Sequence, residues 1–408
     1  MNMQNAQAVE IQSQAWFKTL PMKWQNWLEA NIQRGCDAEQ LAMILKQHGL
    51  TTTLEERAQI TAHNEPVTLQ DESLQQELKH WLMECRLVGM HLEQILQNVP
   101  KPFNALSIEQ TWTALDQDWV FQKLLDTQQK LNKCQWMMQT QDQLKQLNPH
   151  YNQVIAKVNA PSFQDFIQQY YSPQLPVVLK NGIQHWPAAQ LWTPAYFAEH
   201  YGKLPIEVQM NRHKDNDFEK NSVQLKRSTT MQDFVQHIQA TGHSNDVYLT
   251  ANNASKNQPL MQALYQDLDD FASGYCDLSQ QQYFLWLGPA GTFTPLHYDL
   301  TNNLLIQIYG RKKVKLIPAL QMPKMYNNCW VFSEVQDIKA ENFQDYPLLK
   351  DVTPVECILE PGEALFIPIG WWHCVESLDV SISLSLTNFK IDNQFYREYP
   401  QDLIRYKL

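Results

Sequence analysis

The chain has 408 residues, of which 44% are hydrophobic, and a formal net charge of −11 at pH 7. That length and apolar content suffice for more than one core, so a domain boundary is expected. The acidic balance argues against nucleic acid as a partner, because affinity for phosphates rests on clustered Lys and Arg, and it suits a basic protein or peptide better.

Seven cysteines (Cys36, Cys85, Cys134, Cys276, Cys329, Cys357 and Cys374) are scattered without a CxxC pair. This pattern indicates neither a disulfide framework nor a structural zinc site and points to a reducing cytoplasm. The opening stretch "MNMQNAQAVEIQSQAW" has no basic n-region and no apolar h-region, and no window approaches a membrane-spanning run. A cytoplasmic, non-membrane protein is expected.

Residues 1–150 are rich in Gln, Leu and Glu and space their apolar residues three and four apart, as in "WQNWLEANI", "AEQLAMILKQHGL" and "WVFQKLLDTQQKLNKCQWMMQTQDQLKQL". Such spacing predicts an all-α region. Within it, Trp27-Leu28, Gly35 and Glu39-Gln40-Leu41 recur at the same internal spacing as Trp81-Leu82, Gly89 and Glu93-Gln94-Ile95. The repeated unit reads as a helix, a turn at the glycine and a second helix. No catalytic constellation lies here, so the region is read as a packing, dimerisation or partner-docking module, with a homodimer as one expectation.

From residue 151 to 408 the character changes. Short β-branched and aromatic runs alternate with turn residues: "LPVVLKNG", "LPIEVQM", "DVYLTANN", "QYFLWLGPAG", "NLLIQIYGRKKVKLIPA", "VECILEPGEALFIPIGWWHCVESL" and "VSISLSLTNF". These predict an antiparallel barrel or jelly roll with a few interposed helices, α+β overall. Gly310 and Pro361-Gly362 mark hairpin corners. The polar insert "NRHKDNDFEKNSVQLKRS" is too long for a tight turn and is either a loop over a site mouth or a solvated excursion.

The chemistry concentrates in "GTFTPLHYDLTNNLLIQIYGRKK", where His297 and Asp299 stand two apart. Strand alternation puts both side chains on one side, where they can share a divalent metal or simply bond to each other. A second histidine, His373, follows Gly370 at the start of a distant strand. Two His and one carboxylate, a close pair plus one distant ligand, form the facial triad of non-haem Fe(II) oxygenases, although the donor types equally admit zinc, manganese or nickel.

From about Ser162 to Phe389 the chain resembles the JmjC and cupin-like 2-oxoglutarate oxygenases. It is most similar to their protein-hydroxylase branch, which includes the asparaginyl hydroxylase of hypoxia-inducible factor. The residues that carry the resemblance are "LPVVLKNGIQHWPA", "WTPAYFAEHYG", "TPLHYD", "GRKK", "PGEALFIPIGWWHCVESL" and "SISLSLTNF". The resemblance implies a C-terminal double-stranded β-helix with flanking helices, and Fe(II), 2-oxoglutarate and O2 as metal, cosubstrate and oxidant. His297, Asp299 and His373 are then the metal ligands. Lys312 stands where the family places the lysine for the distal carboxylate of 2-oxoglutarate, with Lys313 on the opposite strand face. Thr294 and Tyr248 match the hydroxyl donors of the same pocket, and Asn303 and Asn388 match polar residues on its cosubstrate and oxygen side.

The implied activity is hydroxylation of a protein or peptide side chain. Removal of N-methyl groups from lysine by the same site is the alternative. A non-catalytic metal-binding cupin is a third reading, against which Lys312 and the complete triad speak.

Overall fold

The computed structural model describes residues 72–400, apart from 98, 101–102, 272–273 and 281–282, together with Trp24. The described residues divide into two compact units. One holds the described residues up to Thr140 with Lys339–Asp351, and the other holds the described residues of Gln141–Ile338 and those from Val352 onward.

Among the described residues of the first unit four α-helices follow one another: α1 (Glu72–Leu87), α2 (Leu92–Leu96), α3 (Ala105–Leu115) and α4 (Trp119–Lys145). Their three- and four-residue spacing buries Leu78, Leu82 and Cys85 of α1 against Ile95, Ile108, Leu115 and Phe121. Asn104 caps α3 by accepting a bond from the Ser107 amide at 2.9 Å. Between α1 and α2 the chain turns at Gly89 with a positive φ of 85°. The second copy of the internal repeat therefore is a helix, a glycine turn and a helix; the first copy, around Trp27, lies outside the described residues. The last residues of α4, from Gln141, belong to the second unit, where Asp142 accepts from the Tyr151 hydroxyl at 3.2 Å.

The second unit is a double-stranded β-helix. Its strands are β1 (Ala156–Asn159), β2 (Val177–Lys180), β3 (Pro205–Gln209), β4 (Lys226–Thr230), β5 (Tyr283–Gly288), β6 (Phe293–Tyr298), β7 (Asn303–Tyr309), β8 (Lys312–Ile317), β9 (Asn327–Cys329), β10 (Phe332–Ser333), β11 (Val355–Leu359), β12 (Ala364–Ile367), β13 (Trp372–Ser377) and β14 (Ser381–Leu386). One six-stranded sheet runs β1-β2-β12-β7-β14-β5 and the other β11-β8-β13-β6-β10-β9, while β3 and β4 form a separate ribbon. All pairings are antiparallel except β1 with β2. The fold class is α+β, as expected.

Alternation along each strand feeds two cores. Leu365 and Ile367 of β12 join Leu305, Val314, Leu316 and Val375 between the sheets. Their neighbours Ala364 and Phe366 face the other way, into a larger core with Phe166, Trp186 and Phe197 from the covering segments. β14 is buried on both faces. Its Ile382, Leu384 and Leu386 enter the larger core, and its small serines face the space between the sheets, where Ser383 donates to Gln307 at 2.7 Å.

The hairpin joining β7 to β8 fixes the register of the site. Gly310 turns there with φ of 67°, and a Cβ on it would stand 2.1 Å from the Val380 carbonyl oxygen. Only glycine fits both demands. The tight corner launches β8 with Lys312 buried and Lys313 half-exposed.

The run "DVYLTANN", expected as a strand, forms only single bridges, Gln209 with Tyr248 and Leu249 with Leu287. It spans from the β3–β4 ribbon to β5 and then closes into a 3-10 turn over Ala251–Asn253, so it has no length for a ladder. No helix among the described residues is long and apolar enough to cross a membrane.

Candidate metal centre

β6 and β13 pair so that His297 and His373 stand directly opposite one another. Their ring centroids are 4.2 Å apart. Asp299 follows the end of β6, and its two carboxylate oxygens each lie 3.8 Å from one imidazole Nε2. Potential ligand atoms of the three residues all fall within 4.8 Å of one another.

Backbone carbonyls orient both rings. His297 Nδ1 lies 2.8 Å from the Pro295 oxygen and His373 Nδ1 2.9 Å from the Trp371 oxygen. A carbonyl only accepts, so each Nδ1 donates its proton there and each Nε2 is left facing Asp299. Burial, helped by the nearby His297 ring, pushes His373 down to about 4, so at neutral pH it is the uncharged imidazole a metal requires.

Asn303, at the head of β7, donates from Nδ2 to the second Asp299 oxygen at 3.0 Å. Its Oδ1 is buried without a partner. Two imidazoles, a carboxylate and an orphaned acceptor beside them fit a hydrated or oxo-acid-bound divalent cation better than a closed hydrogen-bonded cluster. Outer partners of metal ligands typically contribute about 10- to 100-fold in affinity or activity. Asn303→Ala is expected to lose metal affinity in that range, as measured by titration of the apo protein.

The three residues line a cavity of about 270 Å³ that runs inward between the sheets to Lys312. Lys312 is 1% exposed. Its Nζ donates to the Tyr248 hydroxyl at 3.1 Å and lies 5.7 and 6.0 Å from the Tyr248 and Trp286 ring centroids. It has no carboxylate partner among the described residues, and burial alone pushes it down to about 7. Burial likewise raises the Tyr248 phenol. A buried lysine without an anion, at the end of an open cavity, is a ready counter-charge for a carboxylate ligand. Thr294 lines the same cavity.

Asn388 is not brought to this lining. Beyond the end of β14 its Nδ2 donates to the Asp277 carbonyl, which turns the carboxamide toward the 275–277 segment. The polar insert does reach the cavity, through Glu219. Arg212, fully buried, fastens it: the guanidinium bonds Glu219 at 2.8 Å and the Phe293 carbonyl at 2.7 Å.

Several lining residues carry no signal of their role in the sequence. Trp286 reads only as part of a strand, although its indole donates to Ser385 at 3.0 Å inside the cavity. Trp330 and Phe332 come from a hairpin of two very short strands, and Phe332 sits opposite His297. Trp330 is 49% exposed and takes a φ of 46°, rare for a bulky residue, with its carbonyl held by Asn327 and Tyr399.

The chain matches the family described as the cupin-like domain over residues 163–393. It is similar to the lysine-specific demethylase 8 of Xenopus tropicalis, at 30% identity over 240 residues, covering 57% of this chain and 52% of that protein. It is similar to the lysine-specific demethylase JMJ30 of Arabidopsis thaliana, at 30% identity over 243 residues, covering 57% and 54%. It is also similar to the tRNA wybutosine-synthesizing protein 5 of Gallus gallus, at 28% over 235 residues, covering 54% and 72%. The chain spans about half the length of the first two relatives.

Proposed function

This chain belongs to the cupin-like domain family, and we propose that it is an Fe(II)- and 2-oxoglutarate-dependent oxygenase that hydroxylates a protein or peptide side chain. One observation carries the reading: the His297, Asp299 and His373 donors share a cavity with a buried lysine that has no carboxylate partner among the described residues.

Bound iron, with 2-oxoglutarate and O2, supplies an oxidant able to break a substrate C–H bond. The protein holds and orients. His297, Asp299 and His373 would hold the metal, with Asn303 fixing the carboxylate. Lys312 would pair with the distal carboxylate of the cosubstrate, and Tyr248 and Thr294 would offer it hydroxyls. Leu305, Ile367 and Val375 give that end of the cavity an apolar wall, which excludes water and strengthens the ion pair.

Lysine demethylation is the second reading, favoured by the names of two relatives as lysine-specific demethylases. Both reactions start from the same oxidant and differ in product. The Fe(II)-loaded protein is incubated with 2-oxoglutarate and a same-species lysate, and products are read by mass spectrometry with a formaldehyde assay. A new adduct of one oxygen on a polypeptide without formaldehyde is the expected result; formaldehyde in step with succinate would replace hydroxylation by demethylation.

Lys312 also sets a pH dependence. Its folded value of about 7 lies below the ordinary 10.5, so above pH 7 the free site is largely neutral whereas the carboxylate-bound site is charged. Binding of 2-oxoglutarate near pH 8 therefore takes up about one proton, and affinity falls as pH rises above about 7. Below pH 7 the uptake disappears. Calorimetry in two buffers of different ionisation enthalpy measures it.

A further inference from the structure

Three segments meet beside the metal centre. The first is the turn from Asp299 into β7, the second the loop Pro368–Trp371 that leads into His373, and the third the chain beyond β14. Asn302 is common to all three. It is fully buried, and its Oδ1 accepts from the Ile369 amide at 2.9 Å and from Gln174 Nε2 at 3.3 Å. Its own amide and its Nδ2 both donate to Asn393 Oδ1, at 2.9 and 3.0 Å. Asn393 returns a bond from Nδ2 to the Asn302 carbonyl at 2.8 Å and holds the Thr387 carbonyl at 2.7 Å.

The two ligand segments are tied again beside this pair. The Gly370 amide donates to the Asp299 carbonyl at 3.1 Å. Trp371, next in that loop, donates from its indole to the Gln174 carbonyl at 3.1 Å, while its own carbonyl orients His373 Nδ1. Asn302 thus stands three residues from one ligand and reaches, through Ile369, the loop that aims another.

We infer that the buried Asn302–Asn393 pair is a positioning clamp for the metal centre: it sets Asp299 and His373 at their mutual distance before any metal arrives. The chemistry supports a clamp over mere filling. Two carboxamides satisfy backbone groups on three separate segments, a task no apolar pair of the same volume performs, and removing either leaves buried donors and acceptors unpaired. Asn302 and Asn393 are positioning residues, since neither contacts the ligand atoms. The inference rests on the metal centre of the proposed function but not on its reaction.

The test is metal affinity of the full chain, read with Co(II), whose ligand-field absorption reports its coordination without turnover. Asn302→Ala and Asn393→Ala are each expected to weaken Co(II) binding by about 10- to 100-fold and to change the shape of the absorption. The double variant should lose no more than the worse single one, because the two side chains act as one unit. Far-ultraviolet circular dichroism of the apo proteins checks folding. A folded single variant that binds Co(II) within about twofold of wild type, or losses that multiply in the double variant, would overturn the clamp. If Asn302→Ala does not fold, Asn393→Ala decides alone. Failure of both to fold would make the pair structural cement and also overturn the inference. Wild-type protein that bound no Co(II) would sink the metal-centre reading itself, and the clamp with it.

Discussion

His373→Ala yields a folded protein that no longer turns over 2-oxoglutarate. The residue is buried on β13 opposite His297, and the metal would have only three protein donors, so losing one removes a third of the holding set. Removal of an outer partner already costs about 10- to 100-fold, and removal of a donor itself should exceed ~100-fold in metal affinity. His297→Ala and Asp299→Ala are expected to behave alike. Circular dichroism should show the barrel intact, because its core is built by Leu305, Val314, Leu316, Leu365 and their neighbours. Near-wild-type succinate production by any one folded variant would remove that residue from the centre.

Lys312→Ala weakens 2-oxoglutarate far more than it weakens metal. Removing one partner of a desolvated charge pair costs about 2–5 kcal/mol, which is on the order of 30-fold to a few thousand-fold in Kd. Lys312→Arg should be impaired as well, since a planar guanidinium does not fit a site shaped around a point charge beside Tyr248. Lys313→Ala is the control. That side chain points outward and pairs with Glu376 at 3.4 Å, a surface contact of about 0–1 kcal/mol. Titration of 2-oxoglutarate into metal-loaded variants separates the two lysines. Equal losses, or a loss at Lys313 alone, would mean that the strand register does not place the anchor as described.

Much of this site is legible in the amino-acid sequence because it rests on short-range rules. His297 and Asp299 are legible as a pair because a spacing of two is a local property, whereas Lys312 is placed by the family resemblance, with the glycine corner at Gly310 and strand alternation setting its face. His373 is legible through the turn and strand that precede it. What is not legible depends on partners distant in sequence. Asn388 is turned away by the Asp277 carbonyl, and nothing near Asn388 in the chain announces that contact. Arg212 sits in an insert that reads equally as a loop over a site mouth or as a solvated excursion, and its partners, Glu219 and the Phe293 carbonyl, become visible only when β6 comes to lie beside the insert. The hairpin carrying Trp330 and Phe332 has strands of three and two residues, too short for alternation to signal a face. The helical half of the repeat around Gly89 is readable from its apolar period, and its counterpart near Trp27 lies outside the described residues.

The most direct measurement of the central claim is succinate formation from 2-oxoglutarate by the full chain under O2, with Fe(II) supplied and withheld, in the presence of same-species lysate protein. Succinate is expected only with Fe(II), increased by the lysate, and absent from His373→Ala and strongly reduced in Lys312→Ala. Folded, Fe(II)-loaded wild-type protein that neither binds 2-oxoglutarate nor forms succinate would contradict the assignment.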